Sequence, residues 1–282
     1  MKGCRRDMAK IFWLRARRRG ILVFASLAVS LGVASNAVAA GGKGQDEGFD
    51  LFFDAAPHVF VQTAKGASST SFGLVSDAEN VSTVMTFRLG GGVRGPAIEA
   101  LPGRPRPVVW GAVLVPLNES SVIGTEFVEV NSPGNERIEF SKYAIEYETS
   151  GLAGIGFEYL VSVFDFELSV TPGLEILFVE GRYTGSSSLD LQQSAVSSSF
   201  AISDKKDFSQ KLIGPSLRVA TRAGTIFGAN VNFWIDANAS FDVSGSRREI
   251  FMSNTEGDTA LFSFETGETA FQIGSGLAIR WP

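Results

Sequence analysis

The chain has 282 residues, 44% of them hydrophobic, and a formal charge of −5. That is long enough for one large domain and too apolar for a disordered chain, so it belongs among globular or membrane proteins. A single cysteine, Cys4, rules out a disulfide scaffold.

The first predicted element is a secretory signal peptide over residues 1–39. Arg15, Arg17, Arg18 and Arg19 precede an apolar run from Ile21 to Val33, and Ala37-Val38-Ala39 forms a small-x-small cleavage site. Both Met1 and Met8 fit as its start, and the apolar run is too short to cross a bilayer comfortably. Cleavage removes Cys4, eight of the 25 Lys and Arg and one of the 30 Asp and Glu; 17 against 29 remain, a formal charge of −12. Such acidity argues against a nucleic-acid partner and suits a protein exposed outside the cell. Without a mature cysteine and with one histidine, no zinc site or other metal centre is expected. No cofactor motif is present either.

Residues 40–56 read as a periplasmic N-terminal segment and 57–282 as one all-β domain. No stretch sustains a helical period, whereas alternation with period two recurs. Eight strands are predicted in chain order: His58–Ala64, Met85–Arg94, Val108–Val115, Ala153–Val161, Phe164–Phe178, Ser209–Thr221, Ile226–Ser244 and Ala270–Trp281. The longest shows the pattern best, with Phe227, Val231, Phe233, Ile235 and Phe241 on one face and Asn230, Asn232, Asp236, Asn238 and Ser240 on the other. Trp234 alone is large and apolar on the polar face. Pro172 and Pro215 fall inside strands beside Gly173 and Gly214, which predicts bulges there.

Connections alternate in length. Those at 65–83, 116–151, 184–207 and 247–266 are long and polar, while 95–104, 162–163 and 222–225 are short, as in a meander threaded through a membrane from one side. Ser186-Ser187-Ser188 and Ser197-Ser198-Ser199 read as flexible tips. Val122–Val130 and Ile138–Tyr147 form a candidate extra hairpin, which would make ten strands; its charges on both faces predict instead that it stands above the membrane. The expectation is a closed antiparallel up-and-down transmembrane β-barrel of about eight strands, with ten as the alternative.

Alternation alone leaves open a soluble barrel around an apolar ligand cavity. Two features favour the membrane. The polar face carries both signs of charge, Arg88, Arg94, Arg218 and Arg280 against Glu158, Asp165, Glu167, Glu175 and Asp236, which suits a narrow lumen of paired ions. Aromatic residues also gather at strand ends: Tyr159, Phe164 and Phe166 at one, Phe178 and Tyr183 at the other, and Trp281 at the last, as in an interfacial girdle.

The final strand places Phe271, Ile273, Leu277, Ile279 and Trp281 on one face, interrupted by Ser275 and followed by Pro282. In this the chain resembles the small bacterial outer-membrane β-barrel proteins, the OmpA, OmpX and OmpW-type barrels. The resemblance covers residues 57–282 as architecture. It implies an outer-membrane location, contact with lipid and lipopolysaccharide, and a terminal strand read by the barrel assembly machinery.

Catalytic residues are missing from the pattern. His58, the only histidine, is expected at the periplasmic start of the first strand, far from any nucleophile in the external loops. Glu158, Glu167 and Glu175 read as ion-pair partners for the lumen arginines, and Gly90-Gly91-Gly92, with no helix after it, is not a phosphate loop. The expected role is therefore structural or surface-interactive, without enzyme activity, with at most a narrow polar pore and with room for an extracellular ligand at the loops. A channel for small or hydrophobic solutes at Trp234 is the alternative, and a lipid-modifying enzyme the third.

Overall fold

The computed structural model describes residues 48–282 except 72–74, 119–120, 133–134, 164–165, 194–195, 246, 254–256 and 282. The expected signal peptide, the girdle residue Phe164, Asp165 and Pro282 lie outside the described residues. Among the described residues eleven strands succeed one another: β1 (Asp50–Thr70), β2 (Val75–Arg94), β3 (Arg106–Pro116), β4 (Ser121–Ser132), β5 (Asn135–Tyr147), β6 (Ser150–Val163), β7 (Phe166–Gln193), β8 (Val196–Ile226), β9 (Ala229–Asp242), β10 (Arg247–Ser253) and β11 (Thr259–Trp281).

Eight of these, β1, β2, β3, β6, β7, β8, β9 and β11, pair antiparallel in that order, and β11 returns to β1. Each overlaps one of the eight predicted strands, and closure leaves the ring without an edge. The ten-strand alternative falls: β4 pairs with β5, and β5 with the far half of β7, outside the ring.

Several boundaries move. β1 begins at Asp50, so the barrel takes in part of the expected N-terminal segment. The predicted strand Ile226–Ser244 is divided, because Phe227 (φ 48°) and Gly228 (φ 81°) make a two-residue turn between β8 and β9. Two positive φ angles in succession give the turn whose twist matches a hairpin. Residues 222–225, read as the turn, hold a bulge at Ala223. The prolines make no bulge. Pro172 stays in register with Leu217, and Pro215 with Leu174, while rungs are skipped between β6 and β7 beside Pro172 and between β8 and β9 beside Pro215. A missing N–H accounts for the lost rungs.

The largest correction concerns the long joins. Most of 65–83, 184–207 and 247–266 is strand, so β7 and β8 run 28 and 31 residues. The serine triplets are ladder residues: Ser186 faces Ser203, Leu191 faces Ser198, and the Ser141 and Ser187 hydroxyls lie 3.1 Å apart. Beyond the ring, the extended strands sort into two four-stranded sheets, β4-β5-β7-β8 and β10-β11-β1-β2. They face one another across an aromatic core. Tyr183 stacks on Phe264 (4.7 Å) and Phe208 (4.3 Å), Phe60 meets Tyr147 edge-on, and Tyr143 meets Phe262 edge-on. Tyr183 is thus core and not girdle.

The sense of the alternation reverses along these strands. In the ring, Phe87, Leu89, Ile155, Ile235 and Phe271 point outward and are exposed, while charged residues point in. In the two-sheet part the outward residues include Asp77, Arg182, Lys205 and Asp207, and aromatic rings fill the interior. The change falls at a cross-strand row on β2, β1 and β11, where Lys65 opposes both Glu79 and Glu265, its Nζ 3.4 Å from Glu79. Predicted girdle residues Phe178 and Trp281 are exposed, and Phe53 meets Trp281 edge-on at 5.9 Å.

Candidate functional site: the charged lumen

The lumen is built because the inward residues of the ring carry charge at matching heights. β1 contributes Asp50, Asp54 and His58, β2 contributes Arg88 and Arg94, and β3, β6, β7, β8, β9 and β11 contribute Arg106, Glu158, Glu175, Arg218, Asp236 and Arg280. That gives five arginines against five carboxylates among the described residues, which is the balance a buried ion cluster needs.

Two layers form. At the rim near the chain termini, Arg94 donates to Asp50 through Nε (2.8 Å) and to Glu158 through Nη1 (3.0 Å), and Arg280 Nη2 donates to the other oxygen of Glu158 (3.3 Å). Arg106 lies 3.6 Å from Asp50 and donates to the carbonyls of Gly95 (2.8 Å) and Gly48 (2.7 Å), closing this layer onto the entering chain. Deeper in, Arg88 bridges Asp54 (3.2 Å) and Asp236 (2.9 Å), and Arg218 bridges the same two carboxylates (2.8 and 3.3 Å). Charge-assisted bonds of this kind are the strong ones, and each carboxylate of the square would be costly to leave alone.

Trp234 lies among these ions, with the guanidinium carbons of Arg218 and Arg88 at 4.3 and 5.3 Å from its ring centre. It is 1% exposed, so it belongs to the packed lumen and not to an open mouth. His58 is misplaced by the sequence reading. It stands well inside β1, 3% exposed, with Nε2 3.5 Å from Asp236 and its ring 5.7 Å from that of Trp234. Its imidazole covers Gly274 on β11, where any side chain would overlap it. Trp110 uses glycine the same way, lying over Gly154 and Gly173 so that its Nε1 reaches Glu175 at 2.8 Å. Asn238 Nδ2 holds the other oxygen of Glu175 at 3.0 Å.

Of the predicted lumen charges, Arg88, Arg94, Glu158, Arg218, Asp236 and Arg280 meet in these layers, whereas Glu175, expected to pair with an arginine, is held by Trp110 and Asn238 instead. Glu167 is not among them: it is exposed at the start of β7. Asp50, Asp54, Arg106 and His58 were not foreseen. The missed signal is the alternation of Leu51, Phe53, Ala55, Val59 and Val61 against Asp50, Asp54, His58 and Gln62. The unfilled space between the layers is a cavity of about 30 Å³ on the β7–β8–β9 side, walled by Trp110, Trp234 and Ser216. It would hold roughly two waters.

On the terminal strand, Phe271, Ile273, Leu277 and Trp281 point outward and are exposed; Ile279 is partly so.

No family model matches this chain, and no curated protein matches it. Several solved structures are similar to it. The attachment invasion locus protein Ail of Yersinia pestis is 12% identical, with 81% of this chain and 99% of that one covered and a TM-score of 0.22. Neisserial surface protein A is 13% identical, with 80% and 97% covered and a TM-score of 0.24. The outer membrane protease OmpT of Escherichia coli is 8% identical, with 86% and 99% covered and a TM-score of 0.24. At such TM-scores no residue role carries over from them.

Proposed function

We propose that this chain is an integral outer-membrane β-barrel whose lumen is filled and whose role is structural or surface-interactive. The observation that carries this is the reversal of polarity at the Lys65–Glu79–Glu265 row. Apolar-out, charged-in strands on one side of a row and strands with charged residues outward and aromatic rings inward on the other fit a protein half in hydrocarbon and half in water. The rim holding the termini faces the periplasm, and the two packed sheets stand outside the cell. Export by the N-terminal signal peptide, contact with lipid and lipopolysaccharide, and reading of the Phe271–Trp281 series by the assembly machinery belong to the same proposal.

Support for a filled lumen comes from its contents: two ion layers, Trp110 and Trp234 across the bore, and the aromatic core beyond them. Eight strands leave an interior just wide enough for side chains. The test is fractionation of expressing cells, with gel mobility before and after heating. Recovery in the outer-membrane fraction with heat-modifiable mobility is expected; recovery in the soluble periplasm would sink the assignment.

A further inference from the structure

Among the described residues, two other than glycine hold a positive φ, and both lie in turns at the rim that carries the termini. Arg104 (φ 46°) pairs with Glu99 in the β2–β3 connection. Phe227 (φ 48°) opens the β8–β9 turn, and its side chain is wholly exposed. Phenylalanine suits that place poorly on two counts. Asparagine or glycine takes the left-handed region without strain, and an aromatic ring left in water gains nothing from burial. Strain combined with full exposure points to a side chain kept for contact outside the protein.

The hairpin around Phe227 reaches past its neighbours. β7 leaves β8 at Thr221, and β11 leaves β9 at Asn230, opposite Arg280. From there the barrel wall continues as a two-stranded tongue that ends in Ile226, Phe227 and Gly228, with Ile226 also exposed. Arg222 is exposed at the base of this tongue, and its guanidinium extends towards the tip, where Nη2 donates to Thr225 Oγ1 at 2.9 Å. It is the one charged residue between Thr221 and Val231, in a chain whose expected mature charge is −12.

The level of the tongue selects what covers it. Continuing the register of β9 with β11 puts Trp281, the last outward residue, opposite Ala229. Phe227 stands two residues further out, about 5 Å along the axis at the tilt of a barrel strand. The headgroup layer is about 5 to 7 Å deep on each side of the hydrocarbon. With the Phe53–Trp281 pair at the hydrocarbon edge, Phe227 ends among the headgroups and short of open periplasm, and as part of the wall it borders lipid. An apolar tip with one cation and no acid matches a membrane interface of negative charge.

We propose that the β8–β9 tongue is a lipid anchor, with Ile226 and Phe227 seated in the headgroup layer of the periplasmic leaflet and Arg222 on the phosphate of an anionic phospholipid. This rests on the membrane reading above and names the lipid class that it leaves open.

The test uses the full mature barrel, which has no cysteine, so that Phe227→Cys, Ile235→Cys and Asp77→Cys each accept one fluorophore. Ile235 is an outward residue of the ring, and Asp77 is exposed on the packed sheets. Each labelled protein is folded into vesicles of equal parts phosphatidylcholine and phosphatidylglycerol, with one lipid or the other carrying a nitroxide near the head of its acyl chain. The label at position 235 should be quenched and the label at 77 spared. At 227 quenching should stand well above that at 77, and be about two- to fivefold stronger from the phosphatidylglycerol than from the phosphatidylcholine. Adding Arg222→Gln should bring that ratio to about one while the quenching itself persists. Quenching at 235 without quenching at 227, as open water or a protein partner at the tongue would give, overturns the proposal and spares the membrane reading; quenching at neither removes both. A ratio near one with Arg222 in place, or a ratio that survives Arg222→Gln, also overturns the proposal.

Discussion

Single side chains in the lumen are held by several neighbours at once, and this makes their replacement costly. Arg88 is 1% exposed and serves both Asp54 and Asp236. Arg88→Met should destabilise the folded barrel by about 3 to 5 kcal/mol, because two buried carboxylates are left sharing Arg218; chemical unfolding in detergent, followed by tryptophan fluorescence, measures it. Gly274→Val should cost about 1 to 3 kcal/mol by driving into the His58 ring, and His58→Ala in the same chain should recover much of that loss. Beyond the ring, burial pushes the Tyr147 hydroxyl up to about 12, against the opposing effect of the hydrogen bond from Ser82. The folded protein thus keeps a proton that the unfolded chain releases near pH 10. Stability from this tyrosine is complete below pH 10 and declines as pH rises towards 12. Absorbance at the tyrosinate band should show Tyr147 ionising well after an exposed tyrosine, and Tyr147→Phe should flatten the alkaline loss.

At the level of strands, the ring was legible in the sequence because each of its segments keeps one outward face apolar, and that contrast survives in single residues such as Phe233 against Asn232. The first strand was read too short for the opposite reason. Its lumen face mixes Phe52, Ala56 and Phe60 with Asp54 and His58, so polarity does not alternate cleanly even though burial does. The extensions of β7 and β8 were read as loops because their outward residues are Ser, Thr and Asp, the residues of turns, and only the inward Tyr183, Leu189, Ile202 and Phe208 reveal a strand. Lumen charges could be listed from alternation; their partners could not, since Arg88 meets Asp236 across 148 positions of chain. One turn invites a direct test. Phe227 sits at φ 48° with its side chain wholly exposed. Phe227→Asn should raise the melting temperature in detergent, by about 1 kcal/mol in stability, because asparagine tolerates this backbone region and phenylalanine does not.

For the molecule as a whole, filled bore and packed outer sheets act in series. Purified protein in planar bilayers should show no large steady conductance, and sustained conductance of porin size would contradict the lumen described above. Arg88→Ala or Arg218→Ala should raise only brief, small events, since Trp234 and the opposite arginine remain. On the proposed membrane placement, the row at which polarity reverses also fixes how deep the barrel sits. On β11 the outward apolar series from Phe271 to Trp281 spans eleven residues, about 25 Å of height at the tilt of a barrel strand. Below it lies the termini rim; above it the outward face carries charged groups such as Asp77, Lys205 and Asp207 beside a few exposed apolar ones. The chain therefore carries its own waterline at both levels, and cannot trade depth for comfort by sliding. Refolding yield should pass through a maximum in vesicles whose hydrocarbon thickness matches that height, falling for lipids several carbons longer or shorter.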